Sequence, residues 1–170
     1  TLNAGLTVLG SNALVLNGSI SGTGGLTKEG MDTLTLNGLN TYTGGTNINA
    51  GTLALGAGGS LASSGIVNLA SGATFDLSAG NGTQTFGTLS GAGTVNLGAN
   101  SITIGGPTNG VFSGSIGGTG GVIKEGTGTE ILTGTNTYTG GTLINAGTLA
   151  LGLGGSLAAT GAVTLTAPGT

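Results

Sequence analysis

The sequence predicts an all-β solenoid of about eight coils with essentially no helix, and three observations point there. The first is repetition. Residues 40–56 (NTYTGGTNINAGTLALG) return 96 positions later as residues 136–152, with only Asn47 changed, to Leu143. The match runs on without a gap: residues 18–69 and 114–165 agree at 37 of 52 positions. Residues 1–170 therefore read as a single segment in which 1–74 is equivalent to 97–170. A long gapless register is what a chain leaves when it stacks on copies of itself.

The second observation is a series of short strand-like runs. In order they are 13–16 (ALVL), 33–36 (TLTL), 52–55 (TLAL), 66–69 (IVNL), 74–77 (TFDL), 94–97 (TVNL) and 101–104 (SITI). Each alternates apolar with small polar residues and is rich in Thr and branched aliphatics, the pattern of a half-buried strand. Gly-Gly, Asn-Gly, Ser-Gly and Ala-Gly steps separate them and supply the turns. No window sustains a capped helical stripe. A sandwich would need longer, hairpin-linked strands and an unrepeated core. At roughly 20 residues per coil, the 96-residue period spans four or five coils.

Composition is the third. The chain of 170 residues holds 41 Gly, with 4% charged and 3% aromatic residues, against averages near 7% Gly and 25% charged. Glycine at every third position is missing, which excludes collagen, and 36% apolar residues exclude a disordered, highly charged chain. A formal charge of −3 gives nucleic acid nothing to hold, and the only basic residues are Lys28 and Lys124. No apolar run reaches the roughly 18–20 residues of a membrane helix. The absence of Cys excludes a disulfide framework. The sequence enters at Thr1 in mid-pattern without a signal peptide, as a processed chain or a piece of a longer one would.

Low charge suits coil stacking, because identical charges one coil apart would sit about 5 Å from each other. Neutral Thr and Asn can hydrogen-bond along the rod instead. Lys28-Glu29 and Lys124-Glu125 read as turn pairs rather than salt bridges. Ile48, Leu53 and Leu55, with Ile144, Leu149 and Leu151, should point inward. Thr52, Ala54, Thr148 and Ala150 should point outward. At least one glycine in each of the pairs Gly44-Gly45 and Gly140-Gly141 should take positive φ or abut the next coil.

The residues Gly24-Gly25-Leu26-Thr27-Lys28-Glu29-Gly30, then TLTL at 33–36, NTYTGGT at 40–46 and INAGTL at 48–53 resemble the passenger-associated transport repeat of bacterial autotransporters. The second copy, 120–149, departs from it at Ile123, Glu130 and Ile131. The resemblance implies a right-handed parallel β-helix, exported by type V secretion and displayed on or released from a Gram-negative surface. It implies a repeat that assists folding of the passenger during export. The motif positions are Asn40, Tyr42, Gly44, Gly45, Asn49 and Gly51, and in the second copy Asn136, Tyr138, Gly140, Gly141, Asn145 and Gly147. The translocator barrel of that family, with its tilted strands and aromatic girdles, is not legible in these residues.

No catalytic, cofactor or metal site is expected. A nucleophilic triad lacks its His. Glycoside hydrolysis needs two flanking carboxylates, but Glu29, Asp32, Asp76, Glu125 and Glu130 read as isolated solvated groups, and Asp32 and Glu130 face Gly128 and Leu34 in the other copy. The loops 22–25 and 118–121 lack the lysine and helix of a phosphate cradle. Calcium repeats need an Asp every nine residues, and the sequons at Asn17 and Asn81 read as turns. Tyr42 and Tyr138 read as corner-closing side chains rather than exposed binding groups. Thr41 and Thr43 form no array recurring at every coil, as ice binding would require.

The expected role is structural: a stalk or adhesive scaffold in an extracellular or surface-displayed passenger. Its expected partners are a host or neighbouring-cell surface, with no nucleic acid and no membrane insertion. The competing expectation is a self-assembling extracellular filament built by axial stacking of copies.

Overall fold

In a computed structural model describing residues 1–166, the chain winds as a β-solenoid of eight coils. The first three coils contribute β1 (Leu6–Val8) and β2 (Leu14–Leu16), β3 (Leu26–Lys28) and β4 (Thr33–Leu36), then β5 (Thr46–Ile48) and β6 (Thr52–Leu55). The middle coils contribute three strands each: β7 (Ile66–Leu69), β8 (Thr74–Asp76) and β9 (Gln84–Phe86), then β10 (Thr88–Gly91), β11 (Thr94–Asn96) and β12 (Ile102–Ile104), then β13 (Gly110–Phe112), β14 (Ser115–Gly117) and β15 (Val122–Lys124). The last two hold β16 (Thr129–Leu132) and β17 (Thr142–Ile144), then β18 (Thr148–Leu151) and β19 (Val163–Leu165). Among the described residues no helix forms.

The strands stack into three walls. Wall 1 runs β1-β3-β5-β7-β10-β13-β16-β18, wall 2 runs β2-β4-β6-β8-β11-β14, and wall 3 runs β9-β12-β15-β17-β19. Every pairing is parallel, as it must be when each strand hydrogen-bonds its counterpart one coil on. Coils take 18 to 22 residues, as in Gln84 opposite Ile102 and Ile66 opposite Thr88. Alternation puts one apolar column inside each wall. Leu34, Leu53, Phe75, Val95 and Ile116 line wall 2 from within, all fully buried. The three phenylalanines fill the mid-rod core, with the Phe75 and Phe86 rings tilted at a centroid distance of 6.3 Å.

The long repeat is not a whole number of coils. β3 belongs to wall 1, yet its equivalent 96 positions on, β15, belongs to wall 3; β4 on wall 2 maps to β16 on wall 1, and β5 on wall 1 to β17 on wall 3. One period is therefore four coils and two walls of a fifth, and the second copy is turned about the rod axis relative to the first. The side without a named strand turns with it. In the first copy it lies on the third side, where Leu39 bridges Ser60. In the second it lies on the second side, where Thr135 bridges Ser156.

The inward residues of the repeated block behave according to coil position. Ile48, Leu53 and Leu55 are buried, and Thr52 and Ala54 on the same strands are half-buried on the outer face. In the second copy Ile144 and Leu149 are half-buried and Leu151 is 51% exposed, because β18 lies at the end of wall 1. Identical TLAL strands should thus differ in what truncation costs. Leu55→Ala should destabilise by about 2–5 kcal/mol, and Leu151→Ala by less than about 1 kcal/mol, measured by denaturant unfolding. Leu53→Asp should cost several kcal/mol by burying an unpaired carboxylate. Hydrogen exchange should show the loss confined to its own and adjacent coils, since each coil contacts only its neighbours.

Candidate functional site: the polar fittings of the repeat

Corners leave backbone groups that no sheet can satisfy, and a narrow lumen admits little water, so side chains must pair with them. Asn40 does this across three coils. Its Oδ1 accepts from Ile20 N at 2.9 Å, while its Nδ2 donates to the carbonyls of Gly38 and Ser60, each at 2.8 Å. Asn136 repeats the pattern with Ile116, Gly134 and Ser156, all at 3.0 Å. Both amides are buried. Each stitches the strand-free side, where sheet bonds are fewest.

Two residues later comes the tyrosine. Tyr42 and Tyr138 are each 1% exposed, inside the rod. The Tyr42 hydroxyl lies 2.7 Å from Thr46 Oγ1, and that of Tyr138 lies 2.6 Å from Thr142 Oγ1. Thr46 and Thr142 are themselves buried strand residues, so each phenol finds its partner four residues ahead. Burial pushes the Tyr42 phenol up to about 12, with the Thr46 hydroxyl opposing, and raises that of Tyr138 for the same reason.

Between Tyr and Thr the Gly-Gly corner has both properties expected of it. Gly45 and Gly141 adopt φ of 81° and 86°. A Cβ on Gly44 would sit 2.5 Å from Gly25 N in the coil below. Next, Asn49 Nδ2 donates to Glu29 Oε1 at 2.8 Å, and Asn145 Nδ2 to Glu125 Oε1 at 3.3 Å, forming short outer ladders. Gly51 and Gly147 make the following turn.

The lysines correct the sequence reading. Lys28 and Lys124 are not solvated turn residues; they are 3% and 1% exposed. In Leu26-Thr27-Lys28 the alternation that buries Leu26 also sends Lys28 inward, while Glu29 stays outside. Lys28 Nζ donates to the carbonyls of Gly30 and, at 3.4 Å, Ala50. Lys124 Nζ donates to those of Glu125 and, at 3.2 Å, Gly126. Burial lowers both ammonium pKa values, opposed by Asp32 at Lys28 and by Glu130, then Glu125, at Lys124. Strand parity carried this signal, but the adjacent Glu masked it.

Glu130 corrects the reading of isolated solvated carboxylates. It is 1% exposed, with Oε2 at 3.5 Å from Leu89 N and Oε1 without a partner. Where the first copy pairs Leu14 with Leu34, the second pairs Gly110 with Glu130. A Cβ on Gly110 would meet Glu130 Oε2 at 2.4 Å, so the glycine makes room for the longer acid. Burial raises the Glu130 pKa to about 7, with the Leu89 N–H and Lys124 opposing. The other acids stay on the outer side: Asp76 Oδ1 accepts from Asn96 Nδ2 and Ser78 N, each at 2.9 Å. Sequence reasoning also missed Gln84, whose buried amide accepts from Leu61 N at 3.1 Å and donates to its carbonyl.

These fittings occupy two stretches that known proteins share. The passenger-associated-transport-repeat family matches residues 26–55 and again residues 122–151. Over these two stretches the chain is similar to the passenger-associated transport repeat. No curated protein and no solved structure matches it. Each matched stretch opens on the strand that ends in the buried lysine and closes on TLAL. Asn40, Tyr42, Thr46 and Lys28, with Asn136, Tyr138, Thr142 and Lys124 in the second stretch, all bond within the rod itself.

Two outcomes follow. Gly45→Val should destabilise by about 1 kcal/mol or more through strain at positive φ, read by thermal unfolding. For Glu130, the folded pKa lies above the unfolded 4.5, so the unfolded chain ionises first as pH rises. Stability should therefore fall between pH 4.5 and about 7, by roughly 3 kcal/mol at most. Glu130→Gln should flatten that slope, and Glu130→Leu, the residue of the first copy, should raise stability at pH 8. A wild-type profile flat across this window would refute burial of the ionisable acid.

Proposed function

We propose that the chain is a structural segment of an extracellular or surface-displayed autotransporter-type passenger, serving as a stalk or adhesive scaffold. The observation that carries this reading is the doubled passenger-associated transport repeat, set in a β-solenoid whose motif side chains are directed to holding successive coils together. A rod that extends about 4.8 Å per coil reaches outward from a cell surface at low cost in residues. On this reading no catalytic step and no cofactor is assigned. Adhesion would use the outer faces, such as the neutral column Thr27, Asn47, Asn68 and Ser90 on wall 1.

Fusion of the 170 residues ahead of a translocator barrel tests the reading. Antibody labelling of intact Gram-negative cells should find the segment outside, and Gly45→Val should reduce the surface signal severalfold while leaving the barrel in the outer membrane. Retention of the wild-type segment in the periplasm, beside a displayed control passenger on the same barrel, would contradict it. Binding of the displaying cells to host-cell monolayers, compared with barrel-only cells, tests the adhesive part separately.

A further inference from the structure

Among the described residues, wall 1 is interrupted once, in mid-rod. Each of its other steps pairs three or four residues, whereas β10 and β13 pair only at Gly91 and Phe112. The interruption falls in the inner column Leu6, Leu26, Thr46, Val67 and Leu89. Lower in that column, Leu6 N and Leu26 N donate to the carbonyls of Gly25 and Gly45, one coil up, at 2.8 and 2.9 Å. Leu89 N instead reaches past the next coil to Glu130 Oε2, two coils up, at 3.5 Å. The carboxyl spans the gap because Gly110, in the coil between, leaves a void; a Cβ there would also lie 2.6 Å from the Leu89 carbonyl oxygen. The hydroxyls of Thr88 and Thr108, 2.5 Å apart, hold the mouth of the gap. Walls 2 and 3 cross the same step unbroken, each with three residue pairs.

The surroundings of Glu130 suit a neutral carboxyl and not an ionised one. Facing it, β10 presents Thr88 and Leu89, β13 presents Gly110 and β18 presents Leu149, none of which titrates. Lys124 on β15 is the charged group that acts on it, with Glu125 beyond on the outer side. The Lys124 ammonium is occupied by the carbonyls of Glu125 and Gly126. Glu130 Oε1 has no partner, and the Leu89 carbonyl borders the same void, an oxygen that accepts from a protonated carboxyl and repels an ionised one. A buried charge so placed relaxes by moving toward water. Leu89 N–H then loses its acceptor, and nothing else closes the gap.

We propose that Glu130 is the clasp of a one-sided hinge. Neutral, it closes wall 1 between β10 and β13; ionised, it leaves the lumen, and the rod bends open there about walls 2 and 3. The direction follows from linkage. The open form ionises near 4.5 and the closed form near 7, so opening gains as pH rises through that window and levels off above it. The first copy, which pairs Leu14 with Leu34 at the equivalent positions, has no such clasp. The hinge sets where the rod flexes, which goes beyond a stalk or scaffold role and does not rest on where the segment is displayed.

Residue-resolved hydrogen exchange on the intact chain tests this. The amides of Leu89 and Ser113 bond across the interrupted step on wall 1, to Glu130 and Gly91. From about pH 5 to about pH 7.5, corrected for intrinsic rates, they should lose protection by roughly tenfold or more. The amides of Leu97 and Ile102 bond across the same step on walls 2 and 3, to Gly117 and Gly121, and should stay the better protected at both pH values. Those of Leu26 and Gly56, in coils remote from the hinge, should not respond. Glu130→Gln keeps an acceptor for Leu89 N but cannot ionise, so it should abolish the response with an unchanged circular dichroism spectrum. Leu89 and Ser113 as protected as Leu97 and Ile102 at about pH 7.5, an equal response at Leu26 and Gly56, or an undiminished response in Glu130→Gln would overturn the proposal.

Discussion

Parallel stacking is the constraint on which everything else depends. Each side chain meets its counterpart about 4.8 Å along the axis, so whatever one coil places inside, the next must tolerate. Apolar residues gain from this arrangement and form most of the inner columns of the three walls, unbroken along wall 2 from Leu34 to Ile116. Charges lose, and among the described residues only Lys28, Lys124 and Glu130 are charged and buried. The lysines succeed because corner carbonyls accept from them. Glu130 has one long contact and an unpartnered oxygen, which makes it the electrostatic weak point of the rod.

The sheets satisfy the backbone along the walls but not at the corners or on the strand-free side. That is where the repeat concentrates its polar residues. Asn40 and Asn136 each tie three coils together, and the Tyr–Thr pairs occupy the lumen beside them. The two copies do this on different sides of the rod, since one period is four coils and two walls. The same sequence thus builds the same local structure whichever wall it falls on. Its environment is set by the coils directly below and above, as expected of a nearly one-dimensional fold.

Much of this was legible from residues alone. The strands at 33–36, 52–55 and 66–69 have the bounds read from alternation, and the Gly-Gly corners follow from needing positive φ beside another backbone. Strands such as Gln84–Phe86 and Ser115–Gly117 escaped, because three residues with glycine neighbours carry almost no periodic signal. The fractional coil count also escaped, since a repeat fixes a spacing but not how many walls it crosses. The inward lysines and Glu130 were misplaced because a charged residue beside glycine reads as a solvated turn. Strand parity, which overrides that composition rule, becomes certain only once the neighbouring coils are in place.

The most direct measurement is a set of spin-label distances along the outer column of wall 1. With one label at Thr27 and the second at Asn68, Val111 or Ala150, the pairs span two, four and six coils. Parallel stacking predicts separations that rise linearly, by about 5 Å per coil, to roughly 10, 19 and 29 Å. Separations that fail to grow in step, with Ala150 no farther from Thr27 than Val111 is, would show a folded-back sheet and contradict the solenoid.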